Sequence, residues 1–420
     1  MKRYALAQEV SGFSERPVSS MPSVCLLAET FYPVVGGGET HARLLARTLI
    51  QKGMDVFVVT RRSSRDLPKF ELVDNIPTYR VPPAGMKRWG KYLMVPATVF
   101  ELIRRRKRYD IVFICGFRVL GLPALAVALL AGKACVLRAE TLGEMSGGYA
   151  SAYKRLPPAV SSIFKGWINL RNRLLRRADA FTSISAHVSS ELLSCGVEES
   201  RIFMFSNGID TSIFQPADPL QKASLRRRLN LPEGGRIVVY TGKLNQGKGL
   251  EYLIRAWQIV SSGHPDVHLV LVGAGGGQSL SREEELKGMV QSLGLGETVT
   301  FTGYVSNVRQ YLQASDIFAF PSENESFGLS LAEAMACGLP AVASCAGAIP
   351  EIVHHEEDGL LVSPRNPDAL AGAISAVLDD SSLAQRLSAN GERAIAERYS
   401  IDVVAERYRL LFTQICQERR

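Results

Sequence analysis

Two stretches of this chain repeat one pattern: a short apolar strand runs into a glycine-rich loop and then into a helix. Val24-Cys-Leu-Leu-Ala28 leads to Gly36-Gly-Gly38 and a helix expected over residues 40–52. Ile237–Thr241 leads to Gly242-Lys-Leu-Asn-Gln-Gly-Lys-Gly249 and a helix expected over 250–261. Wholly apolar strands this short belong in parallel sheets covered on both faces, and parallel strands need crossover helices. The first half continues with strands expected at 55–60, 110–115, 134–138, 180–184 and 201–205, and a helix at 186–194. The second half continues with strands at 268–272, 299–302 and 316–320, helices at 281–293 and within 367–390, and a glycine turn at Gly273-Ala-Gly-Gly-Gly277. Two doubly wound α/β domains follow, in keeping with 420 residues. Residues 1–20, polar and serine-rich with no secretory signal pattern, are expected to be a disordered leader. The first domain is placed at 21–210, a proline-containing linker at 211–222, the second domain at 223–391, and a terminal helical segment at 392–420.

Candidate chemistry concentrates in the second half. In Phe320-Pro-Ser-Glu-Asn-Glu-Ser-Phe-Gly-Leu-Ser-Leu-Ala-Glu, a strand enters a loop bearing Glu325, and a helix expected from about Gly328 carries Glu333. Ser330-x-x-Glu333 has the form of a capping box, and Gly338 with Pro340 forms a helix stop. Backbone N–H groups of Phe327, Gly328 and Leu329 at a helix start form an anion site. Two acids around an anion site suit a ligand with phosphate at its centre and hydroxyls on both sides, such as a nucleotide sugar. Lys243 and Lys248 lie on the glycine-rich loop after Thr241 and can converge on one diphosphate. Fixed cations there stabilise the charge that a departing diphosphate acquires.

These motifs resemble those of retaining glycosyltransferases with two Rossmann-like domains facing across a cleft, the GT-B fold, in glycosyltransferase family 4 (glycosyl transferases group 1). Glu325 and Glu333 match the family's E-x7-E motif. Gly242-Lys243 through Lys248-Gly249 is similar to its Gly-Arg-Leu-x-x-x-Lys-Gly, with Lys243 standing where arginine is usual, so charge is kept and bidentate geometry is lost. Gly36, Gly37 and Glu39 match a Gly-Gly-x-Glu loop, Asn207-Gly208-x-Asp210 an interdomain turn, and Gly273-Ala-Gly275 a structural turn. The resemblance implies catalytic roles for Lys243, Lys248 and Glu325, with Glu325 also on the sugar hydroxyls and Glu333 on the ribose. It places the N–H groups of Ser326, Phe327, Gly328 and Leu329 near phosphate and sugar, the backbone around Val305 at the base, and Gly36, Gly37 and Gly242 among the donor-binding loops. Many members carry histidines after the strands matching 110–115 and 134–138. Here the sequences are Cys115-Gly-Phe-Arg and Arg138-Ala-Glu-Thr-Leu-Gly-Glu144, which makes Glu140 and Thr141 candidates for the sugar contact.

The implied function is a retaining transferase without metal or cofactor, moving a sugar from a nucleotide-diphosphate donor to a glycan or lipid-linked acceptor in cell-envelope polysaccharide or glycolipid synthesis. The implied mechanism is front-face transfer: the leaving phosphate oxygen takes the acceptor proton, and no protein nucleophile is needed. A sugar-nucleotide epimerase or hydrolase of the same fold would need acid/base groups, and histidine is absent from the first-domain loops. An NAD-dependent oxidoreductase would need G-x-G-x-x-G followed by an acid, which neither glycine loop supplies. A non-catalytic donor-binding protein is the remaining alternative.

Composition narrows the setting. Seven scattered cysteines without a C-x-x-C pair fit buried thiols in a reducing compartment. No Asp-x-Asp occurs, six histidines show no ligand spacing, and no metal site is expected. The apolar run 119–131 is too short to span a bilayer and reads as a buried helix. The net charge of +8 gathers in two places: eight basic residues and one acid in 86–108, and seven basic residues and no acid in 151–178. Both interleave apolar residues at helical spacing, the pattern of elements that lie on anionic membrane surfaces or of solvated faces packed on a sheet. No nucleic-acid motif accompanies them. A cytoplasmic protein, peripheral on the inner face of the membrane, is the expected setting.

Overall fold

The computed structural model describes residues 21–86, 89–148, 158–275 and 280–419, so the expected leader at 1–20 lies outside the described residues. The chain forms two compact units. One comprises residues up to Ile184, Val188–Phe205 and the terminal stretch from Val404, and the other Ser185–His187 and Ser206–Val403. The division falls at Phe205, ahead of the 211–222 segment read as a linker, and those residues belong to the second unit. The helix Pro219–Arg228 begins inside that segment, with Asp218 accepting from the N–H of Gln221 as its cap.

In the first unit the strands are β1 (Val24–Ala28), β2 (Val56–Arg61), β3 (Phe70–Val73), β4 (Ile76–Val81), β5 (Ile111–Cys115), β6 (Ala134–Ala139), β7 (Ala180–Ser183) and β8 (Ile202–Met204). They form an eight-stranded sheet in the order β3-β4-β2-β1-β5-β6-β7-β8. Every residue of β1, β2, β5 and β6 is buried, as their apolar sequences require. The sequence reading missed the β3–β4 hairpin, the antiparallel edge of this sheet. Its two-residue turn, Asp74-Asn75, has φ of 50° and 65°, the left-handed pair that such hairpins need.

In the second unit β9 (Arg236–Thr241), β10 (Val267–Val272), β11 (Val299–Gly303), β12 (Ile317–Phe320), β13 (Ala341–Ser344) and β14 (Leu360–Val362) form a parallel sheet in the order β11-β10-β9-β12-β13-β14. In each sheet the chain leaves a central strand in one direction and later returns on its other side. These switch points are β1/β5 and β9/β12, and doubly wound sheets bind ligands beyond the carboxyl ends of such strands.

The terminal segment differs from its expected limits. The helix Ser381–Tyr399 stays with the second unit, burying Leu387 and Ile395. A second helix, Ile401–Glu418, joins the first unit from Val404 onward, so the crossing begins near 404 and not at 392. There Phe412 and Tyr408 pack on Phe113 of β5 with ring centroids 5.4 and 5.2 Å apart, and Tyr408 meets Phe205 at 4.9 Å. The Tyr408 hydroxyl also bonds the fully buried Arg138, which donates to the Phe205 carbonyl at 3.2 Å. Replacing the fully buried Phe412 by alanine is expected to destabilise the first unit by about 3–5 kcal/mol. Urea unfolding of the whole chain checks this, and an unchanged midpoint would contradict the packing.

Candidate active site

Beyond β9 the loop from Gly242 turns into the helix Leu250–Gly263, whose cap is Gly249 at φ +67°. A Cβ on Gly249 would lie 2.0 Å from the Pro321 carbonyl oxygen, so glycine is what lets this loop sit against the end of β12. The N–H of Glu323 donates to the Gly247 carbonyl at 3.0 Å, tying the two loops. This contact brings Lys248 and Glu325 together: Nζ and Oε1 are 2.6 Å apart, with both side chains mostly shielded. Lys243 is exposed and forms no ion pair among the described residues. Lys248 and Glu325 thus converge at the β9/β12 switch point, while Lys243 stands exposed on the same loop as Lys248.

The helix after this loop spans Leu329–Ala336. Its cap is Gly328 at φ +109°, without a side-chain hydrogen bond. The capping box expected from Ser330 and Glu333 is therefore not formed, because both residues already lie inside the helix. The helix start keeps open donors instead. Among the described residues, the N–H groups of Ser326, Phe327, Gly328 and Leu329 find no acceptor. Glu333 is half-buried, and burial pushes its carboxyl up to about 7. Val305 is half-buried after Gly303, the end of β11, beside the exposed Tyr304. Sequence reading passed over Thr241 and Ser322, buried hydroxyls without a hydrogen-bond partner among the described residues where β9 and β12 end. Only their position after apolar strands could have marked them. Gly276 and Gly277 of the next glycine loop lie outside the described residues.

The first unit holds a separate cluster. Beyond β1 and β5 lies a pocket of about 220 Å³ lined by Thr30, Glu39, Arg118, Glu140, Thr141 and Glu144 among others. Gly36 is the extended cap of the helix Gly37–Gln51, and Glu39 in its first turn accepts from the Thr30 hydroxyl at 2.5 Å. A Cβ on Gly36 would come within 2.4 Å of the Glu39 carboxylate. Glu144 shapes the loop after β6 by accepting from the N–H groups of Phe117, Glu140 and Thr141 at 2.9, 3.0 and 3.3 Å. Glu191 accepts from the N–H groups of Met145 and Ser146, and Arg171 donates to the carbonyls of Glu144 and Met145. Held this way, Glu140 faces the pocket. Burial, aided by the Glu144 and Glu39 carboxylates and opposed by Arg138, pushes its carboxyl up to about 7. Thr141 accepts from Arg118. Sequence reading missed Arg118 and Glu144 as site residues, although Arg118 follows β5 at the switch point and Glu144 follows the adjacent β6.

The basic segments form helices Gly90–Leu93, Val95–Arg104 and Pro158–Leu175. Lys87, Arg88 and residues 149–157 lie outside the described residues. Arg171 points inward, as above, while Ile163, Leu170 and Phe100 are 73, 59 and 63% exposed. Among the described residues no helix is long and apolar enough to cross a membrane, and no group of His, Cys, Asp and Glu could hold a metal.

Two doubly wound sheets, with phosphate-type loops at the switch point of the second, define a glycosyltransferase of the GT-B fold. The chain belongs to glycosyltransferase family 4: residues 35–213 match the family described as Glycosyltransferase Family 4 and residues 221–394 that described as Glycosyl transferases group 1. It is 29% identical over 425 residues to a D-inositol 3-phosphate glycosyltransferase of Acidothermus cellulolyticus, covering 92% of this chain and 87% of that one. Sucrose-phosphate synthase from Thermosynechococcus elongatus superposes with a TM-score of 0.77 at 25% identity, over 94% of this chain and all of the other (100%). HepE of Anabaena, solved in complex with UDP-glucose, superposes with a TM-score of 0.71 at 20% identity, covering 94 and 99% of the two chains.

The Glu333 carboxyl gives a pH test that is independent of its role. Its folded value of about 7 exceeds the ordinary 4.5, so the folded chain binds more protons between these values and loses stability as pH rises through them. Glu333→Gln removes that loss. The variant's stability relative to wild type should rise by on the order of 1–2 kcal/mol between about pH 5 and pH 8. Thermal melts across that range measure it, and a flat difference would contradict the burial.

Proposed function

We propose that the protein is a retaining, metal-independent hexosyltransferase that takes a sugar from a nucleotide-diphosphate donor and passes it to a glycan or lipid-linked acceptor. The carrying observation is the Lys248–Glu325 pair beside the acceptorless N–H groups of Ser326–Leu329. Cation and backbone donors meet the diphosphate, and carboxylates meet hydroxyls on either side of it. HepE, solved in complex with UDP-glucose, supports a uridine nucleotide as the first donor to try. In this reading Lys243 and Lys248 stabilise the leaving diphosphate, Glu325 orients the sugar, and Glu333 holds the ribose. Gly242 allows the phosphate loop its close turn at φ +153°, Val305 borders the base, and Gly36 and Gly37 belong to the first unit's loop toward the diphosphate. The bond from anomeric carbon to phosphate oxygen breaks, the bond to the acceptor oxygen forms on the same face, and the acceptor proton passes to the departing phosphate oxygen. The absence of Asp-x-Asp supports charge neutralisation by lysines.

Nucleoside diphosphate release from a panel of nucleotide sugars tests this. One donor should be turned over, and Lys248→Ala should lower turnover by about 10²-fold or more with a smaller change in KM. Wild-type turnover in that variant would overturn the assignment. An altered sugar would indicate an epimerase, and binding without release a non-catalytic protein.

The exposed apolar and basic helices support a peripheral position on the inner, anionic face of a membrane. The full chain should sediment with vesicles containing phosphatidylglycerol and not with pure phosphatidylcholine, and added salt should weaken the binding. Ile163→Ser with Leu170→Ser should reduce binding by about tenfold. Equal binding to both vesicles, or to neither, would refute this position.

A further inference from the structure

Lys243 stands where arginine is usual in the family, and a lysine ammonium on a flexible stem lacks the fork by which an arginine aligns itself on a diphosphate. Its side chain is exposed, so its direction is set by the backbone from which it starts. That backbone follows Gly242 at φ +153°, a conformation that side-chain-bearing residues rarely adopt, and neighbours must hold the turn in place. The Gly242 N–H donates to the Val272 carbonyl at 3.0 Å and the Leu244 N–H to the Ala274 carbonyl at 3.2 Å. Between these anchors the Lys243 carbonyl accepts from the Tyr240 hydroxyl at 3.2 Å. Tyr240 belongs to β9 and is fully buried. A Cβ on Gly242 would lie 2.6 Å from its hydroxyl oxygen, so the phenol and the turn are fitted to each other. Its ring stacks on Phe320 of β12, with centroids 6.4 Å apart and planes 20° apart. Phe320 in turn lies 3.5 Å from where a Cβ on Gly328 would be. Burial, with the Glu325 charge adding to it, raises the Tyr240 hydroxyl well above the ordinary tyrosine range, and it remains a donor.

We propose that Tyr240 is a positioning residue for Lys243, its hydroxyl fixing the Lys243 carbonyl and with it the point from which the ammonium reaches the diphosphate. The inference rests on the transferase reading, in which Lys243 and Lys248 share the charge of the leaving group. Fixed charge stabilises a transition state only from the right place, and a displacement of about 1 Å costs on the order of 10²-fold in rate. Lys248 is steered by its pairing with Glu325. For Lys243 the Tyr240 contact takes that part, through the main chain. The stack on Phe320 ties the same phenol to the strand that leads into the Glu325 loop, so both halves of the anion site are referred to one buried side chain. Tyr240 itself touches neither donor nor acceptor in this reading and acts through Lys243.

The test is a double-mutant cycle on the full-length protein, read in nucleoside diphosphate release from the donor and, separately, in affinity for UDP, ADP and GDP by calorimetry. Tyr240→Phe removes one oxygen and keeps the ring. It should lower kcat about tenfold and weaken the bound nucleoside diphosphate about threefold to fivefold. Lys243→Ala alone should lower kcat about 10²-fold, and the double variant should be no slower and bind no more weakly than Lys243→Ala. A role in fold stability alone predicts factors that multiply. Should Tyr240→Phe fail to fold, Gly242→Ala takes its place in the cycle, because its methyl displaces the same hydroxyl. Factors that multiply in either readout, or a Tyr240→Phe variant equal to wild type, would overturn the proposal while turnover by the wild type keeps the transferase reading. If no donor is turned over, that reading falls and the affinity cycle decides the role of Tyr240 alone. Binding of none of the three nucleotides would overturn both.

Discussion

The constraint from which the rest follows is the burial of the central strands on both faces. A strand such as β1 or β9 with no exposed face can offer a ligand only what lies beyond its carboxyl end. Both units therefore place their chemistry in loops at a switch point. Those loops must approach one another more closely than side chains allow. Gly249 against the Pro321 carbonyl and Gly273 against the Gly242 carbonyl, each at a distance no Cβ could occupy, are how the second unit meets that requirement. The Lys248–Glu325 pair is a consequence of that backbone contact.

Burial also sets the electrostatics of the site residues. A carboxyl withdrawn from water and given few donors holds its proton to higher pH, and this happens at both Glu333 and Glu140. Glu144 shows the compensating case, because three backbone N–H groups oppose the rise that its burial produces. The difference divides labour within one loop: Glu144 is committed to holding the backbone, while Glu140 keeps an oxygen for something else.

What was legible in the sequence follows the range of the interactions involved. Apolar runs and glycine turns are local, and they marked the main strands, the helix starts and the loops bearing Lys248 and Glu325. The β3–β4 hairpin escaped because its turn is only Asp74-Asn75, without glycine, and its strands are partly exposed. The capping box failed because Gly328 took the cap in a conformation that a motif of residue types does not encode. Arg138 stands in an apolar strand with its partner, Tyr408, 270 residues away, and no local pattern predicts such a pair. Likewise, the sequence named Glu140 as replacing a histidine, but the pocket around it comes from three separate strand ends.

The same topology thus serves two chemistries through one choice at each helix start. In the second unit, Gly328 caps its helix with nothing, leaving N–H groups and a nearby lysine for an anion from outside. In the first, Gly38 and Gly116 leave room for the Glu140 carboxyl from the neighbouring strand end, 2.8 and 3.4 Å from where their Cβ atoms would lie.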